Sequence, residues 1–127
     1  MPLVRVDVPQ GKSPDYLKTI GEVIYQAMRQ TINVPENDRF QVFTEHAPGR
    51  MVFDPDYLGI HRSKDCIFIQ VTLNGGRTVE MKQAFYKAIA DGLHQQLQLR
   101  REDVVINLVE VKKEDWSFGN GEAQYVK

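Results

Sequence analysis

Four short stretches of the chain are rich in β-branched and other apolar residues, and the way these residues alternate with polar ones or form continuous runs predicts four β-strands. The first stretch, residues 1–8, alternates Val4, Val6 and Val8 with charged residues, which is typical of a strand with one buried face. We predict the other three strands at 39–45, 66–73 and 104–111. The third is a nearly continuous apolar and β-branched run, as expected for a strand that is buried on both faces.

Two stretches between the strands repeat apolar residues at spacings of three and four, which predicts two amphipathic helices. Each begins after a hydroxyl residue that can cap a helix, Ser13 in the first and Thr78 in the second. The apolar stripes consist of Leu17, Ile20, Ile24, Ala27, Met28 and Ile32, and of Phe85, Ile89, Leu93 and Leu97. We expect the first helix to end before Pro35, because the residue preceding a proline avoids the helical region.

The two halves of the chain superpose in pattern when one is shifted by 65 residues. Gly11-Lys12-Ser13 then falls on Gly76-Arg77-Thr78, and Asp38 falls on Asp103. Few identities survive, so the match is one of pattern, and it predicts two duplicated β-α-β units. Each unit joins parallel strands by a right-handed helical crossover.

The duplication predicts one α/β domain over residues 1–127, with halves at about 2–45 and 66–111. Its expected architecture is a two-layer fold, a four-stranded mixed sheet with two helices on one face. The connection over 46–64 is longer than most loops, and its apolar residues suggest packing onto the domain. The tail, 114–127, contains the only Trp and is expected to form a shaped loop with a short edge strand at 123–126.

The face of the sheet opposite the helices also needs cover. The residues Phe68, Val71 and Val105 suggest that the central strands are apolar on both sides. Another copy of the same chain is the simplest cover, so the sequence predicts a homo-oligomer.

Composition narrows the classes of function. The formal net charge is −1, which gives no basic field for nucleic acid. No apolar run approaches the roughly 18 residues of a membrane span, and no charged and apolar leader is visible at the N-terminus. The single cysteine, Cys66, excludes an intrachain disulfide and is expected to be a buried thiol, so we expect a cytoplasmic protein. The three histidines lack metal-ligand spacing and no cofactor motif is present, so we predict neither metal nor cofactor.

Pro2 is the first candidate for chemistry, because it lies at the tip of the first predicted strand. If Met1 is removed, Pro2 becomes a free secondary amine whose position is fixed by backbone pairing. Such an amine is a base, an acid when protonated, and a nucleophile toward carbonyls. Proline is also tolerated at the first position of a strand for structural reasons alone, so Met-Pro by itself leaves both interpretations open.

An N-terminal proline on a duplicated β-α-β domain resembles the tautomerase superfamily. The segments 34–41 (Val-Pro-Glu-Asn-Asp-Arg-Phe-Gln) and 116–121 (Trp-Ser-Phe-Gly-Asn-Gly) resemble its malonate semialdehyde decarboxylase branch and the tautomerase-like relatives of that branch. The resemblance implies that Pro2 is the catalytic group and that Asp38 is the acidic residue before the second strand. It also implies a homotrimer.

The resemblance further implies two arginines before the second helix, of which this chain keeps only Arg77, while Gly75 holds the place of the other. It assigns Trp116 and Phe118 to the wall of the pocket. The substrates of this class are small 2-oxo or 3-oxo acids, and Arg77 offers a bidentate clamp for their carboxylate. Each of these residues also has an ordinary structural interpretation, as a solvated charge or as packing.

The protonation state of Pro2 decides between two reactions. A neutral amine is a general base for keto–enol tautomerisation, whereas a protonated amine is an acid that polarises a carbonyl for decarboxylation or hydration. A decarboxylase must hold a carboxylate and also stabilise an enolate, for which two cations serve better than one. With Gly75 in place of the first arginine, we predict tautomerisation of a 2-oxo acid, with decarboxylation of a 3-oxo acid as the alternative. A catalytically silent oligomeric binding protein that retains Met1 is the third possibility.

Overall fold

The protein is described by a computed structural model that covers residues 2–126. A four-stranded sheet carries two helices on one face. The strands are β1 (Leu3–Pro9), β2 (Gln41–His46), β3 (Ile67–Asn74) and β4 (Val104–Val111). The helices are α1 (Pro14–Thr31) and α2 (Val79–Leu97), and short 3₁₀ turns lie at Tyr57–Gly59, Arg101–Asp103 and Lys113–Asp115.

The strand order is β2-β1-β3-β4. β1 is parallel to β2 and β3 is parallel to β4, while β1 and β3 pair antiparallel at the centre. The predicted fold class, a mixed sheet built from two β-α-β units, is therefore confirmed. The antiparallel centre places the start of β1 beside the end of β3, which matters for the candidate site.

Both helices begin at the predicted caps. Ser13 Oγ accepts a hydrogen bond from the backbone N–H of Tyr16, and Thr78 Oγ1 accepts one from Met81, each at 3.1 Å. These contacts satisfy N–H groups that have no partner inside a helix. α1 ends at Thr31, just before Asn33 adopts a left-handed backbone with a φ of 58°.

The core lies between the helices and one face of the sheet. Its strand residues are Val4, Val6, Val8, Ile67, Ile69, Val71 and Leu73, which meet the helical stripes predicted from the sequence. Gly92 lets the two helices approach closely, because a Cβ at this position would lie only 2.7 Å from Val23 Cγ1. Within residues 2–126, neither helix combines the length and apolarity that a membrane span requires.

The face of the sheet away from the helices is mixed and not uniformly apolar, which corrects the sequence-based expectation. Val71 is fully buried on the helix side, because side chains alternate along β3. The open face pairs Arg5 with Gln70, and Gln70 Nε2 donates a hydrogen bond to Asn107 Oδ1 at 3.0 Å. Phe68 lies on the same face.

The long connection packs onto the domain as expected, since Phe53 meets Phe68 edge-on with ring centroids 6.1 Å apart. The expected edge strand at 123–126 was wrong, because these residues form a turn. The side chain of Gln124 accepts from the N–H of Phe118 and donates to the carbonyl of Gly119. These bonds fold the tail back on itself instead of along a sheet edge.

Candidate active site

Pro2 is buried at the start of β1, and the sheet register defines its neighbours. Leu3 pairs with Thr72, so Pro2 lies beside the end of β3 and the loop that follows it. On the other side, the N–H of Val4 donates to the carbonyl of Phe40 at 2.9 Å, so Pro2 lies beside the segment that leads into β2. The first residues of β1 are thus held between these two segments.

Asp38 lies in the turn before β2 and is only 6% exposed. The turn is fixed to α1, because the hydroxyl of Tyr25 accepts a hydrogen bond from the N–H of Asn37 at 2.9 Å. Burial raises the pKa of the Asp38 carboxyl, and the positive charge of Arg77 opposes this rise. Asp38 therefore holds a proton more readily than an exposed carboxyl does.

Arg77 is directed toward the end of α1. Its Nε and Nη2 donate to the carbonyl of Ile32 at 3.3 and 3.1 Å, and its Nη1 donates to the carbonyl of Asn74 at 3.0 Å. The guanidinium therefore lies over the end of α1 and not over the N-terminus of α2, because free carbonyls at the end of a helix attract a cation. Three of its five N–H donors are used in this way, which leaves one on each terminal nitrogen for a ligand.

The aromatic wall of the site consists of Phe40, Trp116, Phe118 and Tyr125. Trp116 stacks on Phe118 with ring centroids 5.3 Å apart and an interplanar angle of 12°. Phe118 also meets Phe40 at 5.9 Å and the edge of Tyr125 at 5.2 Å. The indole N–H of Trp116 donates to Asn74 Oδ1 at 2.8 Å, which ties the tail to the end of β3.

Three residues of this region were not assigned to the site by the sequence: Phe40, Asn74 and Tyr125. Burial raises the pKa of the Tyr125 phenol, as does the nearby charge of Asp38, while Arg77 lowers it. The phenol therefore lies within electrostatic range of both. The position of Asn74, a polar residue at the end of an apolar strand, was a weak indication that it belongs to the site. Nothing in the sequence showed that the tail folds back and brings Tyr125 to this region.

Gly75 is exposed and faces a carboxylate. A Cβ built at Gly75 would lie 2.9 Å from Glu110 Oε2. Glu110 in turn accepts a hydrogen bond from Lys82 Nζ at 2.8 Å, which lowers the pKa of its carboxyl. Position 75, where the resemblance implies a second arginine, thus carries no cation and lies beside the ion pair of Glu110 and Lys82.

The structure brings the predicted site residues to one end of the sheet: Pro2, Asp38, Arg77, Trp116 and Phe118. A cation, a carboxyl and an aromatic wall beside a strand tip form an arrangement that can bind a small carboxylate and move a proton.

Comparison with known proteins agrees with this arrangement. Two tautomerase-enzyme family models match the chain, one over residues 38–119 and the other over residues 2–60. The probable tautomerase YusQ of Bacillus subtilis is 42% identical over 127 residues, which is 100% of both chains. A malonate semialdehyde decarboxylase structure is 33% identical with a TM-score of 0.91, covering 98% of this chain and 95% of the other.

A second solved structure, FG41 malonate semialdehyde decarboxylase inhibited by 3-bromopropiolate, is 35% identical, also with a TM-score of 0.91. It matches 98% of this chain and 94% of the other. Matches of this extent include both halves of the duplicated chain and the tail. The protein therefore belongs to the tautomerase family, among relatives that include malonate semialdehyde decarboxylases.

Proposed function

We propose that the protein is a tautomerase in which Pro2, freed of Met1, is the general base for keto–enol tautomerisation of a small 2-oxo acid. The observation that supports this most is the burial of Pro2 at a strand tip beside the segments that hold Asp38 and Arg77. Backbone pairing on both sides fixes the amine without the cost of ordering a long side chain.

The surroundings of Pro2 favour its neutral form. An exposed amino terminus has a pKa near 8, and both burial and a neighbouring guanidinium lower the pKa of an amine. An ionised Asp38 would oppose that shift. Because burial raises the pKa of Asp38, a smaller fraction of its carboxyl is ionised, and Asp38 raises the pKa of the amine less. The amine is therefore better suited to act as a base.

The proposed reaction is a proton transfer between oxygen and carbon. The neutral amine removes the hydroxyl proton of the enol, and the resulting ammonium delivers a proton to the adjacent carbon, which leaves the keto form and regenerates the amine. The two N–H donors of Arg77 that are not bonded to carbonyls hold the substrate carboxylate. The aromatic wall excludes water and strengthens these interactions.

Decarboxylation of a 3-oxo acid is the second candidate. Similarity to two malonate semialdehyde decarboxylases favours it, at 33% and 35% identity. The small number of cations in the site argues against decarboxylation. Arg77 is partly engaged by carbonyls, and Gly75 lies beside Glu110, so a departing carboxyl group and a developing enolate would share a single cation.

We also propose that the chain is a homotrimer, with the open face of the sheet turned toward neighbouring copies. The polar residues of that face are suited to contacts between copies, since Gln70 and Asn107 already bond to each other and Arg5 lies alongside. A non-enzymatic role, an oligomeric binding protein that retains Met1, is the contrasting hypothesis.

An activity assay on two substrates separates these candidates. The protein is first checked by intact mass for loss of one Met residue, and is then assayed on phenylpyruvate enol and on malonate semialdehyde. The proposal predicts faster turnover of the enol. Preferred decarboxylation would reverse the ranking of the two reactions, and a protein that retains Met1 and is inactive on both substrates would favour the binding role.

A further inference from the structure

A cavity of about 480 Å³ lies at the other end of β1 from Pro2. It is lined by the end of β1, the end of β2, the start of the long connection and the residues just before β3. We call it the far cavity; its charged and apolar lining includes Lys12, His46, Met51, Phe53 and Lys64. The seven residues of β1 separate it from Pro2 by about 23 Å.

The internal duplication relates the far cavity to the Pro2 site. Two backbone hydrogen bonds recur 65 residues apart: Gln10 N to His46 O (2.9 Å) recurs as Gly75 N to Val111 O (3.1 Å), and Arg50 N to Ala47 O (3.1 Å) recurs as Asp115 N to Lys112 O (3.0 Å). Gly11 and Gly76 share the left-handed backbone that a glycine tolerates, with φ of 98° and 112°. The loops around the two sites therefore share these backbone hydrogen bonds and this glycine conformation.

The same shift pairs the side chains that matter for binding. Lys12 of the far cavity corresponds to Arg77 of the Pro2 site. Met51 corresponds to Trp116, and Phe53 corresponds to Phe118. Each site thus combines a cation at the turn before a helix with an apolar wall that follows a parallel strand. This combination suits a small carboxylate with an apolar body.

The far cavity lacks the groups that move a proton in the proposed reaction. Ile67 takes the place of Pro2, and its nitrogen is an amide within β3. Asp103 takes the place of Asp38 but accepts hydrogen bonds from the N–H and the hydroxyl of Ser63, both at 2.6 Å. Burial raises the pKa of the Cys66 thiol to about 11, so it is not a thiolate near neutral pH.

Positively charged side chains outnumber carboxylates in the lining of the far cavity, which favours the binding of an anion. Lys12 Nζ bonds to Asp65 Oδ1 at 3.0 Å and lies 5.2 Å from the centre of the Tyr16 ring. An ammonium has three N–H donors, so Lys12 can hold Asp65 and a ligand oxygen together. Lys64 brings a second ammonium to the lining, against the single carboxylate of Asp65.

We propose that the far cavity binds small carboxylates with an apolar body, as a non-catalytic counterpart of the Pro2 site. Lys12 holds the carboxylate, while Met51 and Phe53 contact the apolar part. The site would allow a second molecule of the same chemical class to bind each chain. This inference rests on the duplication and the lining of the cavity, and it does not depend on the reaction at Pro2.

Backbone-amide NMR with phenylglyoxylate tests the proposal, because this aromatic 2-oxo acid has no hydrogen that would allow it to enolise. In the wild type we expect shifts both near Trp116 and around Lys12 and Phe53. Lys12→Met should weaken binding at the far cavity by roughly tenfold or more, the effect of losing a hydrogen bond to a charged group. Lys12→Arg should retain that binding, since an arginine serves at the equivalent position.

Shifts confined to the Pro2 site in the wild type would overturn the proposal without any variant being needed. Equal affinity of the far cavity in Lys12→Met and the wild type would also overturn it. The tautomerase activity of Lys12→Arg should stay unchanged, and the two sites are read from different amides. Failure of this proposal is therefore distinguishable from failure of the function proposed at Pro2.

Discussion

Arg77 donates two hydrogen bonds to the carbonyl of Ile32, at 3.1 and 3.3 Å, and so joins the loop before α2 to the end of α1. This contact links the two halves of the chain at the candidate site. It gives Arg77 a structural role beside the proposed role in binding the substrate. The two roles can be separated, because they respond differently to substitution.

Arg77→Ala should raise KM and also lower stability. Losing the contact with a carboxylate costs about 1.5–3 kcal/mol, which corresponds to one to two orders of magnitude in KM. The carbonyls of Ile32 and Asn74 also lose their donors, so the midpoint of thermal unfolding should fall. Steady-state kinetics and thermal unfolding measure the two effects.

Arg77→Lys is the matched control for that substitution. It keeps the positive charge but loses the planar fork, so we expect an intermediate KM. If Arg77→Ala lowers stability while KM stays at the wild-type value, Arg77 has only the structural role.

Gly75→Arg should raise decarboxylation relative to tautomerisation, because it adds a second cation near the departing carboxyl group. Glu110 lies where the new side chain begins and would pair with it. We therefore expect a larger effect in the double variant Gly75→Arg, Glu110→Gln, with Glu110→Gln alone as the control. The ratio of kcat/KM on malonate semialdehyde and on phenylpyruvate enol gives the result. An unchanged ratio in the double variant would contradict the charge argument.

Asp38→Asn should remove a pH dependence of stability. Because the folded pKa of Asp38 is raised above its ordinary value of 3.8, protonated Asp38 favours the fold, and this contribution is lost as pH rises through the folded pKa. The free energies of unfolding of wild type and variant should therefore differ little below pH 3.8. Above the folded pKa, the variant should gain relative to the wild type.

Denaturant titrations at several pH values measure this difference, with an exposed carboxyl removed by Glu114→Gln as the control. A variant that loses stability relative to the wild type as pH rises would show that the folded pKa of Asp38 is lowered.

The proposed homotrimer predicts that the open face of the sheet is sensitive to charge. Gln70→Lys adds a cation beside Arg5 on the face proposed to meet neighbouring copies, so the positive charges of adjoining copies repel each other. Sedimentation should show a trimer for the wild type and smaller species for the variant. Gln83→Lys makes the same change on the exposed side of α2 and should leave the trimer intact. A wild type that sediments as a monomer at micromolar concentration would contradict the proposal.

Most of the fold could be predicted because it depends on local patterns. Ser13 and Thr78 fix the helix starts through their own side chains, and the alternation along β1 sets its buried face. The open face of β3 was harder to predict, because a nearly continuous apolar run does not show which residues meet the helices. Val71 was for that reason counted with Phe68 as evidence that both faces of the sheet are apolar, whereas the structure buries it on the helix side.

The candidate site was predictable only in part. Pro2, Asp38 and Arg77 lie at strand or helix boundaries, where sequence pattern and family resemblance agree. The partners of Arg77 were not predictable, since its contact with Ile32 spans 45 residues of sequence. Tyr125 was missed because its position depends on the tail folding back through Gln124, a long-range choice that composition does not reveal.

The central claim, that the Pro2 amine is the base, is tested most directly by comparing free and blocked N-termini. Three proteins are assayed on phenylpyruvate enol after intact-mass verification. The first has Pro2 as its N-terminal residue, the second retains a residue before Pro2, and the third carries the substitution Pro2→Ala. Blocking should abolish the contribution of a general base, typically about 10²–10⁴-fold in rate, whereas Pro2→Ala keeps a primary amine and should lose less. A blocked protein that tautomerises as fast as the free one would contradict the account.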